Sequence, residues 1–193
     1  VKNVAVFCAS SPGRAPVFNE AAGHMGHALA RQGYDFVYGG GKVGLMGVLA
    51  DAMLQNNRRV YGVIPRALLE KEVGHERLTT LHVVETMHQR KAMIYDLSDA
   101  FIALPGGMGT LDELFETLTW TQLGLHHKPV GLLNTNGYFS NLIAFLDGAV
   151  ENGFVRSEHR AMLHVDSDAE TLLQKLAAAP PVHTEKWIDR KQI

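Results

Sequence analysis

Cysteine is almost absent from this chain: Cys8 is the single one in 193 residues. That excludes an internal disulfide and a cysteine-rich metal site. An excess of one charge is lacking as well. With 18 Lys and Arg against 20 Asp and Glu, the formal net charge is -2, and no run of cations forms the stripe that a nucleic-acid backbone needs. No apolar stretch approaches the roughly 20 residues that span a bilayer. Val1-Lys2-Asn3 leads straight into a strand-like run rather than the apolar centre of a signal peptide. The expectation is a cytoplasmic protein with neither nucleic acid nor membrane as partner. Internal repeats and low-complexity tracts are missing too, so the chain reads as one domain over 1–179 and a polar tail over 180–193, in which Trp187 is suited to docking.

What is present is an ordinary globular composition, 46% hydrophobic and 20% charged, long enough to bury one good core. Short apolar runs alternate with longer helical patterns. Strands are predicted over 2–10, 35–38, 59–64, 78–84, 100–104 and 129–133. Helices are predicted over 16–33, 44–56, 87–97, 111–123, 138–152 and 168–179. The first helix places Phe18, Ala21, Ala22, Met25, Ala28 and Leu29 on one face; the fifth turns Leu142, Ile143, Phe145, Leu146 and Val150 inward. Strands that alternate with helices in this way imply an α/β fold, a single doubly wound, Rossmann-like domain with a mainly parallel sheet covered on both faces. Ligands of such sheets bind beyond the carboxyl ends of the strands.

Pro105-Gly106-Gly107-Met108-Gly109-Thr110-Leu111-Asp112-Glu113 lies at such an end, between the run 100–104 and the helix that follows. Bare amides at a helix start, reinforced by the helix dipole, suit a phosphate. Glu113, expected in the first turn, would stand beside it. Thr110-x-x-Glu113 also fits a capping box, in which both side chains only satisfy helix amides. A cap needs at most one glycine, however, and each extra one raises the entropy cost of ordering the loop.

An earlier run, Gly39-Gly40-Gly41-Lys42-Val43-Gly44-Leu45-Met46-Gly47, matches G-x-G-x-x-G letter by letter, but it follows the second strand. The acidic residue expected about 20 positions on, for a ribose, is replaced by Asn56-Asn57-Arg58-Arg59. It reads as a loop for close approach to a mononucleotide or its phosphate, with a tight packing turn as the alternative. Val43 stands where a Walker loop needs Ser or Thr. Between the two loops, Met87-His88-Gln89-Arg90-Lys91 opens a helix with two adjacent cations.

Glu72-x-x-His75 and Glu85-x-x-His88 match a di-iron spacing, but Gly74 interrupts one and a strand precedes the other, so no metal is expected. Cys8 reads as a small buried residue.

These strings, in this order, together with Trp120-x-Gln122-Leu123-Gly124 and 128–134, resemble the Lonely Guy family over about residues 2–154. The family comprises cytokinin riboside 5'-monophosphate phosphoribohydrolases, long labelled possible lysine decarboxylases. The resemblance implies a Rossmann-like homodimer that hydrolyses a nucleoside 5'-monophosphate, without a cofactor, to free base and ribose 5-phosphate. It implies Arg90 and Glu113 as the catalytic pair, and Met87, Lys91, Gly106, Gly107, Met108, Gly109, Thr110 and Thr119 as substrate-contacting positions, with Glu72 as candidate for a further glutamate. The chemistry agrees, since a carboxylate beside C1' stabilises the positive charge that builds on the sugar. A pyridoxal decarboxylase finds no support in so short a chain. The competing class is a non-catalytic nucleotide or molybdenum-cofactor carrier of similar fold, which has no need of Arg90 together with Glu113. Whether the substrate carries an N6 substituent or is plain AMP stays open, with Met87, Met108 and Leu111 as apolar candidates for its pocket.

Overall fold

Period-two alternation in the first strand decides how the sheet is covered. In β1 (Asn3–Phe7), Val4 and Val6 enter one core layer, while Ala5 and Phe7 enter the other. Both faces of β1 are therefore apolar, as a central parallel strand requires. The computed structural model describes residues 2–69 and 74–180; Glu72 and the tail with Trp187 lie outside them.

The elements follow in the order α1 (Pro16–Arg31), β2 (Asp35–Tyr38), α2 (Gly44–Gln55), β3 (Val60–Pro65), α3 (Arg66–Leu69), β4 (Thr80–Val84), α4 (Met87–Leu97), β5 (Ala100–Ala103), α5 (Met108–Gln122), β6 (Val130–Leu133), a 3-10 turn (Thr135–Gly137), α6 (Ser140–Glu151), α7 (Ser157–Arg160), β7 (Leu163–Asp166) and α8 (Ala169–Ala178). Among the described residues the seven strands form one parallel sheet, in the order β4-β3-β2-β1-β5-β6-β7. Met25 and Leu29 of α1, Leu49 and Met53 of α2, and Leu172 and Leu176 of α8 fill one layer. Ile94 and Tyr95 of α4, Leu114 of α5 and Leu146 of α6 fill the other. The expected doubly wound sheet is what forms.

The differences from the sequence reading are local. Strand β7 escaped it because His164 and Asp166 break the apolar run of an edge strand whose residues after Leu163 are only partly buried. The four-residue helices α3 and α7 are too short to show a period. Phe145, expected inward, is exposed on α6 while Leu146 is buried, because a one-residue step along a helix turns the side chain by about 100°. Helix α5 begins three residues before the expected 111, at Met108, with Gly107 as its N-cap.

Gly44 links the fold to the carboxyl edge of the sheet. Its φ is +64°, and a Cβ there would meet Ser10 C at 2.3 Å and Ser11 N at 2.4 Å. Leu45 N donates to Ala9 O at 3.1 Å beside it. The start of α2 is thereby pressed against the loop that leaves β1. Gly44→Ala, strained in backbone and blocked by backbone, is expected to cost about 3 kcal/mol or more. Urea unfolding measures it; a cost below about 1 kcal/mol would show that the two loops move apart freely.

Candidate active site

Strand order reverses at β1, with β2 on one edge and β5 on the other. The chains leaving β1 and β5 part there, and a cavity of about 400 Å3 opens between them. Phe7, Cys8, Ala9, Ser10 and Ser11 from β1 and its loop form one wall, Gly39 and Met46 a second, Met87 and Arg90 of α4 a third. The floor is the start of α5, with Gly107, Met108, Gly109, Thr110, Asp112 and Glu113.

The amides of Met108, Gly109 and Thr110 have no partner inside their helix, whose first bond runs from Leu111 N to Gly107 O at 3.1 Å. Among the described residues no side chain caps this end. The capping-box alternative is therefore overturned: Thr110 lies at the third helical position and Glu113 at the sixth, beyond the first turn. The capping box that does form belongs to α4, where Thr86 accepts from Gln89 N and the Gln89 side chain returns the bond.

The three loop glycines have different reasons. At Gly106 a Cβ would stand 2.1 Å from Thr110 Oγ1, so packing demands glycine. At Gly107 and Gly109 a Cβ would meet nothing within 4 Å. Gly107 has an ordinary negative φ, and Gly109 sits inside a helix, where alanine is the better residue. Neither position needs glycine for the fold, whereas a ligand seated on the amides would need both bare.

Arg90 is buried with its guanidinium laid on Gly39, where a Cβ would meet Nη2 at 1.8 Å. Its Nε has no hydrogen-bond partner among the described residues, and its Nη1 reaches only Met87 Sδ at 3.9 Å. A buried cation so sparsely paired has donors to offer an anion or a sugar oxygen. The Glu113 carboxyl lies close enough to feel it. Burial pushes that carboxyl up to about 7; Arg90 and Lys91 pull it down, and the neighbouring Asp112 and Glu116 push it up again. Near neutrality Glu113 is thus divided between acid and base.

Lys91 does not line the cavity. Its Nζ sits 2.8 Å from Asp112 Oδ2 and 3.3 Å from Glu116 Oε2, clamping α4 to α5 on either side of Glu113. Burial opposes its charge, but the two carboxylates outweigh burial and raise its pKa. A Schiff-base lysine needs the opposite shift. Thr119 is also away from the cavity, exposed, with its hydroxyl donating to Phe115 O at 2.7 Å. Gly106 borders an adjoining apolar recess instead. Of the earlier run, Gly39 and Met46 reach the cavity, Gly39 seating Arg90; Gly44 packs against the β1 loop and Gly47 against Lys42 O. The run thus borders the cavity through Gly39 and Met46, while its glycines at 44 and 47 serve packing. Arg58 and Arg59, where a dinucleotide site would have its acid, close on buried Asp35 at 2.7 and 2.8 Å.

Sequence reasoning missed Ser10 and Ser11 as wall residues; no spacing marks them, because they arrive by sheet topology. Cys8 is buried as expected, and burial together with the charge of Glu113 raises its thiol pKa, keeping it protonated. The described residues hold no group of three or more His, Cys, Asp or Glu placed to bind a metal, and no helix among them is long and apolar enough to cross a membrane.

Fold and site together define a Rossmann-like protein with a cleft at its switch point, lined by the start of a helix and a buried guanidinium. The family model "Possible lysine decarboxylase" matches residues 46–176. A probable cytokinin riboside 5'-monophosphate phosphoribohydrolase of Oryza sativa subsp. japonica, LOGL2, is 46% identical over 98% of this chain and 77% of its own length. The cytokinin riboside 5'-monophosphate phosphoribohydrolase LOG7 of Arabidopsis thaliana is 46% identical over 95% of this chain and 85% of its own. This chain belongs to the Lonely Guy family. Among solved structures, the molybdenum cofactor binding protein of Rippkaea orientalis superposes with a TM-score of 0.69 at 20% identity, covering 92% of this chain and 96% of that one. The molybdenum cofactor carrier protein of Chlamydomonas reinhardtii gives 0.68 at 19% identity, over 92% and 98%. At such identities the likeness is one of fold.

Two measurements test this geometry. Gly109→Ala is expected to leave thermal stability unchanged or slightly raised, yet to weaken binding of ribose 5-phosphate about tenfold or more by calorimetry; undiminished binding would remove the amides from the site. Because the folded-state pKa of Glu113 is raised, the proton's contribution to stability is complete below about pH 4.5 and lost as pH rises through about 7. Glu113→Gln is therefore expected to be more stable than the parent at pH 8, by up to about 3 kcal/mol, with the gain vanishing near pH 4. An equal gain at both pH values would contradict a raised carboxyl.

Proposed function

We propose that this chain is a nucleoside 5'-monophosphate phosphoribohydrolase. It hydrolyses the N-glycosidic bond of a cytokinin riboside 5'-monophosphate, of AMP or of both, releasing the free base and ribose 5-phosphate. One observation carries the reading: unpaired helix amides, a sparsely paired buried guanidinium and a carboxyl with a pKa of about 7 line one cavity. A carrier of nucleotides needs the amides, but has no use for a buried carboxyl poised between two protonation states. The names of the relatives, which carry this reaction, support the same reading.

The 5'-phosphate takes the amides at the start of α5, where the helix dipole favours its charge. Glu113 stands a turn and a half further along that helix, beside the ribose. As the bond between C1' and the base nitrogen breaks, its electron pair goes to the base, and positive charge builds on the sugar. The Glu113 carboxylate stabilises that charge and takes a proton from the water whose oxygen bonds to C1'. The departing base takes up a proton in turn. A carboxyl near neutrality serves as acceptor and donor alike. Arg90 balances Glu113 and presents its unpaired edge to the ribose or the base. Met87, Met108 and Met46 supply the apolar side of the cavity, against which a base can lie. Lys91 acts from outside by holding α4 and α5 together. The reaction requires no cofactor and no metal.

The protein works in the cytoplasm as a homodimer, with neither nucleic acid nor membrane as partner. Leu123 and Leu125, exposed just past the end of α5, together with Phe145 and Phe154, support a contact with a second copy.

The deciding experiment incubates the protein with AMP and with N6-isopentenyl-AMP and follows free base and ribose 5-phosphate. Glu113→Gln and Arg90→Ala are each expected to lower kcat/KM by about a hundredfold or more. The parent rate is expected to rise with pH up to about 7, where Glu113 ionises. No base released from either nucleotide, with binding intact, would leave a carrier or sensor in place of the enzyme.

A further inference from the structure

The double glycine of the phosphate loop poses a directional problem. A Gly-Gly peptide unit is among the least constrained in a chain, free to turn its N–H to either side. If the Gly107 amide is to face an anion, something must hold the peptide that contains it. The hydroxyl of Tyr138 donates to Gly106 O at 2.8 Å, across 32 residues of sequence. The 106–107 peptide is trans, and a planar trans unit points its C=O and N–H in opposite directions.

The surroundings of the two glycines give those directions meaning. Gly106 borders an apolar recess of about 210 Å3, lined by Phe18, Leu45, Pro105 and Tyr138, and does not line the main cavity. Gly107 borders both. With Gly106 O drawn toward Tyr138 on the recess side, the Gly107 N–H is turned to the other side, which is that of the cavity. The preceding peptide is held as well, since Pro105 O accepts from Ala9 N at 3.2 Å.

The position of Tyr138 is itself built. Asn136 and Gly137 adopt left-handed conformations, with φ of 52° and 70°, so the chain doubles back after β6 through residues that tolerate the turn. Phe139 N donates to Asn134 Oδ1 at 2.7 Å, and the Phe139 ring is buried. The Tyr138 ring then packs edge-on to Phe18 at 5.6 Å and to Phe139 at 4.8 Å. Half of this side chain remains exposed, so the structure around it orients a hydroxyl more than it buries an aromatic ring.

We propose that Tyr138 is a positioning residue of the phosphate loop: by holding the Gly106 carbonyl it turns the Gly107 amide toward the 5'-phosphate of the substrate. The inference rests on the phosphate reading of the cavity. It adds a donor that the helix start does not supply, because Gly107 lies just outside α5 as its N-cap.

Tyr138→Phe tests it, since the phenyl ring keeps the contacts with Phe18 and Phe139 and only the hydroxyl is lost. The expected result is about a tenfold loss of affinity for ribose 5-phosphate by calorimetry and a matching rise in KM for AMP. The kcat at saturation and the affinity for adenosine, which has no phosphate, are expected to stay unchanged. In nitrogen-15 spectra the Gly107 amide signal is expected to move with ribose 5-phosphate in the parent and stay in place in the variant, while those of Gly109 and Thr110 move in both. Unchanged affinity for ribose 5-phosphate would overturn the proposal, as would a loss shared equally by adenosine, which marks a purely structural role. Should the parent itself fail to bind ribose 5-phosphate, the phosphate reading of the cavity fails first and this inference falls with it.

Discussion

Strand β1 carries β2 on one edge and β5 on the other, so the segments leaving the carboxyl ends of β1 and β5 must part. Everything at the site depends on that reversal. It sets the β1 loop opposite the start of α5 and leaves between them a space that α4 enters from the side with Arg90. The loops are then locked to one another through backbone. Ala9 N reaches Pro105 O, Leu45 N reaches Ala9 O, and Gly44 leaves no atom's width between α2 and Ser10. A cavity walled by backbone in this way keeps its shape before anything binds, which is the condition for electrostatic preorganisation.

Into this frame the fold places three groups that would be unfavourable elsewhere: helix amides without partners, a buried guanidinium with one weak contact, and a carboxyl whose burial raises its pKa to about 7. Each costs stability, and each is the kind of local inconsistency that collects at functional sites. Lys91, between Asp112 and Glu116, shows how the cost is contained. By neutralising the two carboxylates that flank Glu113, it leaves burial and Arg90 as the main influences on that group. The neighbouring cations of one motif thus serve different ends. Helical geometry separates them by about 100°, turning Arg90 into the cavity and Lys91 toward α5.

Much of this was legible in the chain. The strand and helix alternation, the full extent of α4 over 87–97 and the glycine loop after β5 all follow from periodicity and punctuation that act within a few residues. Arg90 and Glu113 stood out as well, because they flank glycine loops at one sheet edge and match a family pattern. Where the reading fell short, the competing influence lay far off in sequence. The run from Gly39 to Gly47 spells a ligand motif and borders the cavity through Gly39 and Met46, yet its glycines answer to Arg90, to the backbone of Ser10 and to Lys42. Helix α5 starts three residues before the expected 111, because glycines that usually end helices here open one. Strand β7 was invisible because its partner β6 supplies most of its reason to be a strand.

By itself the sequence determined the elements and the chemical inventory: which segments are strands or helices, a carboxylate and a cation beside glycine loops, a loop of bare amides, and membership of a family. These depend on interactions between residues close in the chain, or on identity alone. Tertiary structure decided which members of that inventory meet. It brought Ser10, Ser11 and Met46 to the cavity wall, turned Lys91 and Thr119 away from it, and carried Tyr138 back over 32 residues to the Gly106 carbonyl. Those outcomes follow from strand order and from the few ångströms of clearance at Gly39, Gly44 and Gly106, quantities that exist only once the sheet has assembled.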